Sequence, residues 1–206
     1  MNEPKPKLFV FAAPSGAGKT TLVHAVVSKH PELRFSISYT TRPQRRNEAH
    51  GVDYMFVDKD TFNSLRDQGE MLESATVFDN LYGTSRAQVE EHLGNGQSVV
   101  LEIDWQGARQ VRASMPECVT IFILPPSHDE LVRRLRSRGT DSDEVIARRL
   151  RDAESDMAHW DEFDYVVIND NLDQAINDLE AVMAGEGDAQ ATNDEALRGT
   201  VAAIVR

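Results

Sequence analysis

The stretch "LFVFAAPSGAGKTTLV", Leu8 to Val23, constrains this chain more than any other. An apolar run meets a glycine-containing loop, then Lys19, Thr20 and Thr21, then apolar residues again. A strand that hands over to a helix leaves the first-turn N–H groups of that helix without internal partners. Glycines let the backbone wrap closely around an anion, and the free N–H groups with the helix N-terminus hold it. The loop Ala13-Pro14-Ser15-Gly16-Ala17-Gly18-Lys19-Thr20 follows the phosphate-binding pattern G-x-x-x-x-G-K-[ST], with Ala13 in place of the first glycine. Alanine suits that position if its φ is negative. Lys19 is expected to reach the β- and γ-phosphates of a nucleoside triphosphate, and Thr20 to offer its hydroxyl to Mg²⁺. A loop of this kind serves a GTPase, an ATPase or a kinase, and does not separate them.

The rest of the chain alternates in the same manner. "KLFVFAA" (7–13), "SVVLEID" (98–104), "VTIFILPP" (119–126) and "DYVVIND" (164–170) read as strands. Helices are expected from Lys19 to about Lys29, Gln106 to Met115, Asp129 to Arg138 and Leu172 to Ala184, and over 142–160. In the last of these Asp141 is the expected cap with Glu144 three residues on, and Ile146, Leu150, Ala153, Met157 and Trp160 form a core stripe. Continuous apolar strands between helices predict an α/β fold with a parallel sheet covered on both faces.

Residues 35–97 break the rhythm. "RFSISYTTRP", "DYMFV" and "EMLESATVF" read as short strands with one helix near 60–68, an inserted small α+β subdomain. The expected division is a P-loop core at 1–34 and 98–184, a mobile lid at about 127–149 within it, the insert at 35–97 and a tail at 185–206. The tail reads as a polar, flexible "GEGDAQATND" followed by "VAAIV", which suits a terminal helix.

The net charge of −12 argues against a nucleic-acid or anionic membrane partner for the surface as a whole. Arginines nevertheless gather in two windows, Arg42 to Arg46 and Arg133 to Arg151, which points to local anion sites. The single cysteine, Cys118, precedes an apolar strand and is expected to be a buried thiol; it allows no internal disulfide and agrees with a reducing cytoplasm. "MNEPKPK" has no secretory apolar segment, and no apolar run approaches the roughly 18 residues of a membrane span. The six histidines lack metal-ligand spacing.

With "FSISYTTRPQRRNEAHGVDYMFV", "EMLESATVFDNLYGTSR", "VVLEIDWQGARQVR", "LVRRLRSRGTDSDEVIARRL" and "YVVIND" added to the loop, the chain resembles the bacterial type of guanylate kinase over about residues 6–184. The resemblance implies transfer of the γ-phosphoryl group of ATP to GMP, and to dGMP, with Mg²⁺. Arg42 and Arg45 are guanidinium forks suited to a monophosphate, and the family places them with Tyr54 and Tyr82 on the phosphate of GMP. Glu73 matches the residue that accepts from guanine N1–H and N2–H, and Ser38 and Thr84 match its hydroxyl partners. Glu102 and Asp104 end a strand beside the loop: Asp104 is the metal-side candidate, and Glu102 supports the GMP site. Arg134 and Arg138, four apart on one helix face, and Arg149 match arginines that reach the triphosphate. Asn169 matches a residue near adenine. One departure is Asn47 in "RRNEAHG", where the family has glycine; asparagine tolerates positive φ.

Two further readings stand beside this one. Related domains have lost catalysis and bind phosphopeptides, and related P-loop kinases act on other acceptors such as phosphorylated sugars. Retention of Lys19 and Thr20 weighs against the first, and of Ser38, Glu73 and Thr84 against the second. Oligomeric state is left open.

Overall fold

A computed structural model describes residues 5–77, 79–137 and 142–205. In chain order the strand β1 (Leu8–Ala12) runs through the glycine loop into helix α1 (Lys19–Lys29). Short strands β2 (Leu33–Phe35), β3 (Tyr39–Thr40) and β4 (Met55–Phe56) follow, then α2 (Lys59–Asp67). Next come β5 (Met71–Val77), β6 (Asn80–Ser85) and α3 (Arg86–Gly94). The chain continues with β7 (Ser98–Glu102), α4 (Trp105–Ser114), β8 (Val119–Leu124) and α5 (His128–Ser137). It closes with α6 (Asp143–Met157), β9 (Tyr165–Ile168), α7 (Leu172–Ala184) and α8 (Glu195–Ile204).

The chain forms two compact units. One comprises Phe9–Pro31, Glu102–Trp105 and Val119–Arg206. In it β1 pairs parallel with β8, Phe9 beside Val119, and β8 pairs parallel with β9, Ile121 beside Tyr165. Every residue of β1 is buried, as are Thr120 to Leu124 of β8. That is the signature of parallel strands covered on both faces, and helix α7 packs on α1 and on β9. Ser142 caps α6 by accepting from the Val145 backbone N–H. Asp141, the expected cap, lies outside the described residues. The helix ends at Met157 rather than 160, and Trp160 sits in a separate 3₁₀ turn, Trp160–Glu162. Of the expected stripe Ile146, Ala153, Met157 and Trp160 are buried, while Leu150 is half-buried.

The tail segment expected to be flexible is instead held. The Thr192 N–H donates to Asp164 O at 3.0 Å, Ala191 bridges Tyr165, and the Arg198 guanidinium lies over the Trp160 ring at 5.0 Å. The terminal helix is present as α8, capped by Asp194.

The other unit comprises the segment up to Leu8, Glu32–Leu101 and Gln106–Cys118. Here β2 pairs parallel with β7, and a four-stranded sheet runs in the order β4-β3-β6-β5. The long β5–β6 hairpin sets Glu73 opposite Thr84 and Ala75 opposite Tyr82. Asp58 caps α2, whose fully buried Phe62 lies against Gly83 of β6. A Cβ at Gly83 would come within 3.0 Å of that ring and 2.9 Å of Glu73 O, so the close packing requires glycine. "RFSISYTTRP" contributes two separate strands, β2 and β3, where one was expected. Strand β6 and helix α3 were not expected. The cap of α3 is legible in hindsight: Ser85 accepts from Gln88 N–H, three residues on. Phe78, placed in an expected strand, lies outside the described residues. Asn47 does not take a positive φ, so its departure from glycine needs no special backbone; among the described non-glycine residues only Asp79 does. Cys118 is buried, as expected.

Because the Ser85 hydroxyl caps α3, Ser85→Ala is expected to lower stability by about 1 kcal/mol, measured by urea denaturation monitored by circular dichroism.

Candidate active site

The glycine loop is shaped by what surrounds it. Gly16 and Gly18 have φ of 94° and 88°. A Cβ on Gly16 would approach Leu131 Cδ1 to 2.9 Å, and one on Gly18 would approach Asn169 Nδ2 to 2.5 Å. Glycine is therefore required at both positions, by conformation and by space. Ala13 has no positive φ, so the missing first glycine costs nothing. The Ala17 N–H closes a turn on Pro14 O at 3.2 Å. The Ala17 carbonyl in turn accepts from Asn169 Nδ2 at 2.8 Å and Arg134 Nη1 at 3.2 Å. Arg134 Nη2 donates to Asn169 O at 2.9 Å and its Nε to Glu130 Oε1 at 2.7 Å. Gly18 then caps α1 without a side-chain hydrogen bond, and the first turn carries no acidic residue. The N-terminus of α1 thus presents backbone N–H groups suited to an anion.

Lys19 opens α1, and its Nζ donates to Ile103 O, just past β7, at 2.7 Å. Burial pushes the Lys19 ammonium below its usual value, while Glu102, Asp104 and Asp156 act in the opposite direction. Thr20 is exposed and its hydroxyl donates to Glu102 Oε1. That leaves the oxygen lone pairs of Thr20 available to a cation. Thr21 is also exposed. Arg149 Nη2 donates to Ser15 Oγ at 2.8 Å, so an arginine of α6 already rests on the loop. Arg138 lies outside the described residues. Among the described residues, no three His, Cys, Asp or Glu side chains gather in a way that could hold a metal ion.

Sequence reasoning missed a group beside Lys19. Trp105 Nε1 donates to Asp156 Oδ1 at 3.0 Å, and the indole stacks on His159 with centroids 3.5 Å apart. Burial pushes the Asp156 carboxyl up. No spacing rule joins positions 105 and 156, so only the fold reveals this pairing.

The second unit carries its own polar cluster. Glu73 is only 5% exposed, and its Oε1 accepts from the Thr84 hydroxyl at 2.7 Å. Ser38, half-buried, precedes β3, and its carbonyl accepts from Met55 N–H at 2.9 Å. Arg42 makes a forked ion pair with Glu48, Nη2 to Oε1 at 2.8 Å and Nη1 to Oε2 at 3.0 Å. Its guanidinium lies over Tyr54 at 5.4 Å and Phe56 at 5.8 Å, with Tyr82 beside it. The Tyr54 and Tyr82 rings meet edge-on at 6.0 Å. Arg42, Tyr54 and Tyr82 are thus brought together. The Arg45 side chain is exposed, and its backbone N–H donates to Glu48 Oε2 at 2.9 Å. Glu48 was not singled out from the sequence; an acid three residues after Arg45 was the available signal.

The family model described as guanylate kinase matches residues 5–186. The chain is 55% identical over 175 residues to a guanylate kinase of Alkalilimnicola ehrlichii, covering 85% of this chain and 86% of that one. It is 50% identical over 184 residues to a guanylate kinase of Vibrio cholerae, covering 88% and 89%. The crystal structure of guanylate kinase from Anaplasma phagocytophilum superposes with a TM-score of 0.70 at 31% identity, covering 97% of this chain and 95% of that one.

The lowered Lys19 ammonium has a measurable consequence. Burial disfavours the charged form of Lys19, so the group gives up its proton more readily than an ordinary lysine. A bound polyphosphate favours the charged form and raises the value again. Binding of tripolyphosphate at alkaline pH should therefore take up protons, seen as a buffer-dependent heat in calorimetry. Lys19→Met should abolish that uptake.

Proposed function

We infer the workings of this protein from one premise: the chain belongs to the guanylate kinase family, and it is a nucleoside monophosphate kinase that phosphorylates GMP with ATP. In our reading the loop from Ala13 to Thr21 cradles the triphosphate, Lys19 meets the β- and γ-phosphates, and Asn169 lies near adenine. Arg134, Arg138 and Arg149 attend the phosphates of ATP from a lid at about 127–149. Arg42, Arg45, Tyr54 and Tyr82 hold the phosphate of GMP. Ser38, Glu73 and Thr84 read guanine. The core would comprise 1–34 and 98–184, with the GMP-binding subdomain at 35–97.

Mg²⁺ fits the donors present: a threonine hydroxyl whose proton is already committed to Glu102, and the carboxylates of Glu102 and Asp104 about Lys19. These are hard oxygen ligands of the kind Mg²⁺ takes together with water and phosphate oxygens. Thr20 and Asp104 would hold it, and it would neutralise charge developing on the transferred group. The chain's own residues then supply position and charge. The reacting oxygens are brought into line, the arginines spread the negative charge, and water is excluded as the lid closes. No covalent intermediate is needed. dGMP, which carries the same base and 5′-phosphate, is a second acceptor in this reading. A cytoplasmic location is supported by Cys118, a buried free thiol suited to a reducing compartment.

The single observation that carries base choice is the buried Glu73 carboxylate with Thr84 beside it. Guanine offers N1–H and N2–H donors, and adenine offers neither at that edge. Glu73→Gln keeps the shape but turns a donor amide toward guanine. GMP turnover is expected to lose roughly 1–3 kcal/mol in kcat/KM, while the residual AMP turnover does not fall by the same factor. An equal drop for both acceptors would remove Glu73 from base recognition. The comparison is made in a coupled assay of ADP formation.

A further inference from the structure

We propose that Glu48 is a positioning residue: it aims the Arg42 guanidinium so that one donor edge faces the phosphate of the acceptor nucleotide. This rests on the reading of Arg42 as a ligand of that phosphate.

A guanidinium has two edges on which a pair of parallel N–H groups can grip two oxygens: the end, Nη1 with Nη2, and one side, Nε with Nη2. Glu48 takes the end edge, Nη2 to Oε1 at 2.8 Å and Nη1 to Oε2 at 3.0 Å. The second proton of Nη1 goes to Pro43 O at 3.0 Å. The donors beyond these three bonds are Nε–H and the second Nη2–H, which together make the side edge. The Tyr54 and Phe56 rings crowd the same group, their centroids 5.4 and 5.8 Å from the guanidinium carbon. Tyr82 lies beside the same group, so the phenol and the remaining donors share one neighbourhood.

Glu48 is itself anchored. Arg45 N–H donates to Oε2 at 2.9 Å, and Glu48 N–H donates back to Arg45 O at 3.1 Å. The carboxylate is therefore part of the loop's frame. The pair is shielded, with side chains 13% and 16% exposed, unlike the solvated ion pairs that contribute little. A flexible arginine held in this way has less rotamer freedom to lose when a phosphate arrives. The cost is a negative charge near an anion. That charge already receives three N–H donors, which limits its repulsion.

The test is to measure the affinity of GMP and of guanosine by calorimetry, with KM for GMP and for ATP. The wild type is set beside Glu48→Gln, Glu48→Ala and Arg42→Ala. Guanosine carries the base without the phosphate. Both Glu48 variants are expected to weaken GMP about tenfold and to raise KM for GMP. Guanosine affinity and KM for ATP should stay within about twofold. If Arg42→Ala weakens GMP but the Glu48 variants leave it unchanged, or tighten it, Glu48 is a bystander or a competitor of the phosphate and the proposal fails. Equal losses for GMP and guanosine would mark a purely structural role and also overturn it. An Arg42→Ala protein that binds GMP normally would overturn the reading of Arg42 and this proposal with it.

Discussion

The Ala17 carbonyl is the point on which the triphosphate side of this protein turns. It accepts one hydrogen bond from Asn169 and another from Arg134, side chains that come from the end of β9 and from α5. With that oxygen pinned, the peptide between Ala17 and Gly18 has one orientation, and Gly18 is pressed so close to Asn169 that no side chain fits. The helix that follows must then begin at Lys19, with its first N–H groups uncapped. A loop left to itself would sample many conformations and lose entropy on binding an anion. Here that loss is incurred on folding, through packing of residues more than a hundred positions away.

The same economy governs charge. The chain carries a net −12, yet it is built to receive highly anionic substrates. Its cations near the sites are not free to wander: Arg134 is tied to Glu130, Arg42 to Glu48, and Lys19 rests on a backbone carbonyl amid Glu102, Asp104 and Asp156. Each acid orients a base at the expense of some electrostatic attraction. For Glu130 the two arginines Arg133 and Arg134 hold the carboxyl down to about 2, so the arrangement persists across any physiological pH. The cations are thereby held at fixed positions instead of forming a diffuse positive field.

Much of this was legible in the chain, and the reasons are specific. "LFVFAAPSGAGKTTLV" announced strand, loop and helix because apolar runs, glycines and Lys-Thr obey short-range rules. The buried strands β1, β7, β8 and β9 followed from unbroken apolar stretches. Caps were less certain: Asp141 and Ser142 are adjacent and equally able, and Ser142 is the residue seen to cap α6. Strand β6 and helix α3 escaped because "NLYGTSRAQVEEHLG" mixes both periodicities in a few residues. The tail's polar composition suggested flexibility, yet a backbone hydrogen bond to Asp164 and a bridge to Tyr165 hold it, and composition does not encode such partners. Arg42 lies over the Tyr54 ring, and the Tyr54 and Tyr82 rings meet edge-on, a cluster that the spacing of 42, 54 and 82 alone does not encode. Glu48 and the Trp105, Asp156 and His159 group were invisible because their chemistry arises from contacts across the fold.

The central claim is that a buried carboxylate reads guanine on an acceptor whose phosphate is held by arginine and tyrosine. The most direct test is the specificity of the intact enzyme: ADP formation from ATP with GMP, AMP, UMP and CMP offered in turn at equal concentration. The account predicts kcat/KM for GMP at least about a hundredfold above each of the others, because a site built to pair a base edge rejects one that leaves buried groups unpaired. Comparable values for GMP and AMP would contradict it.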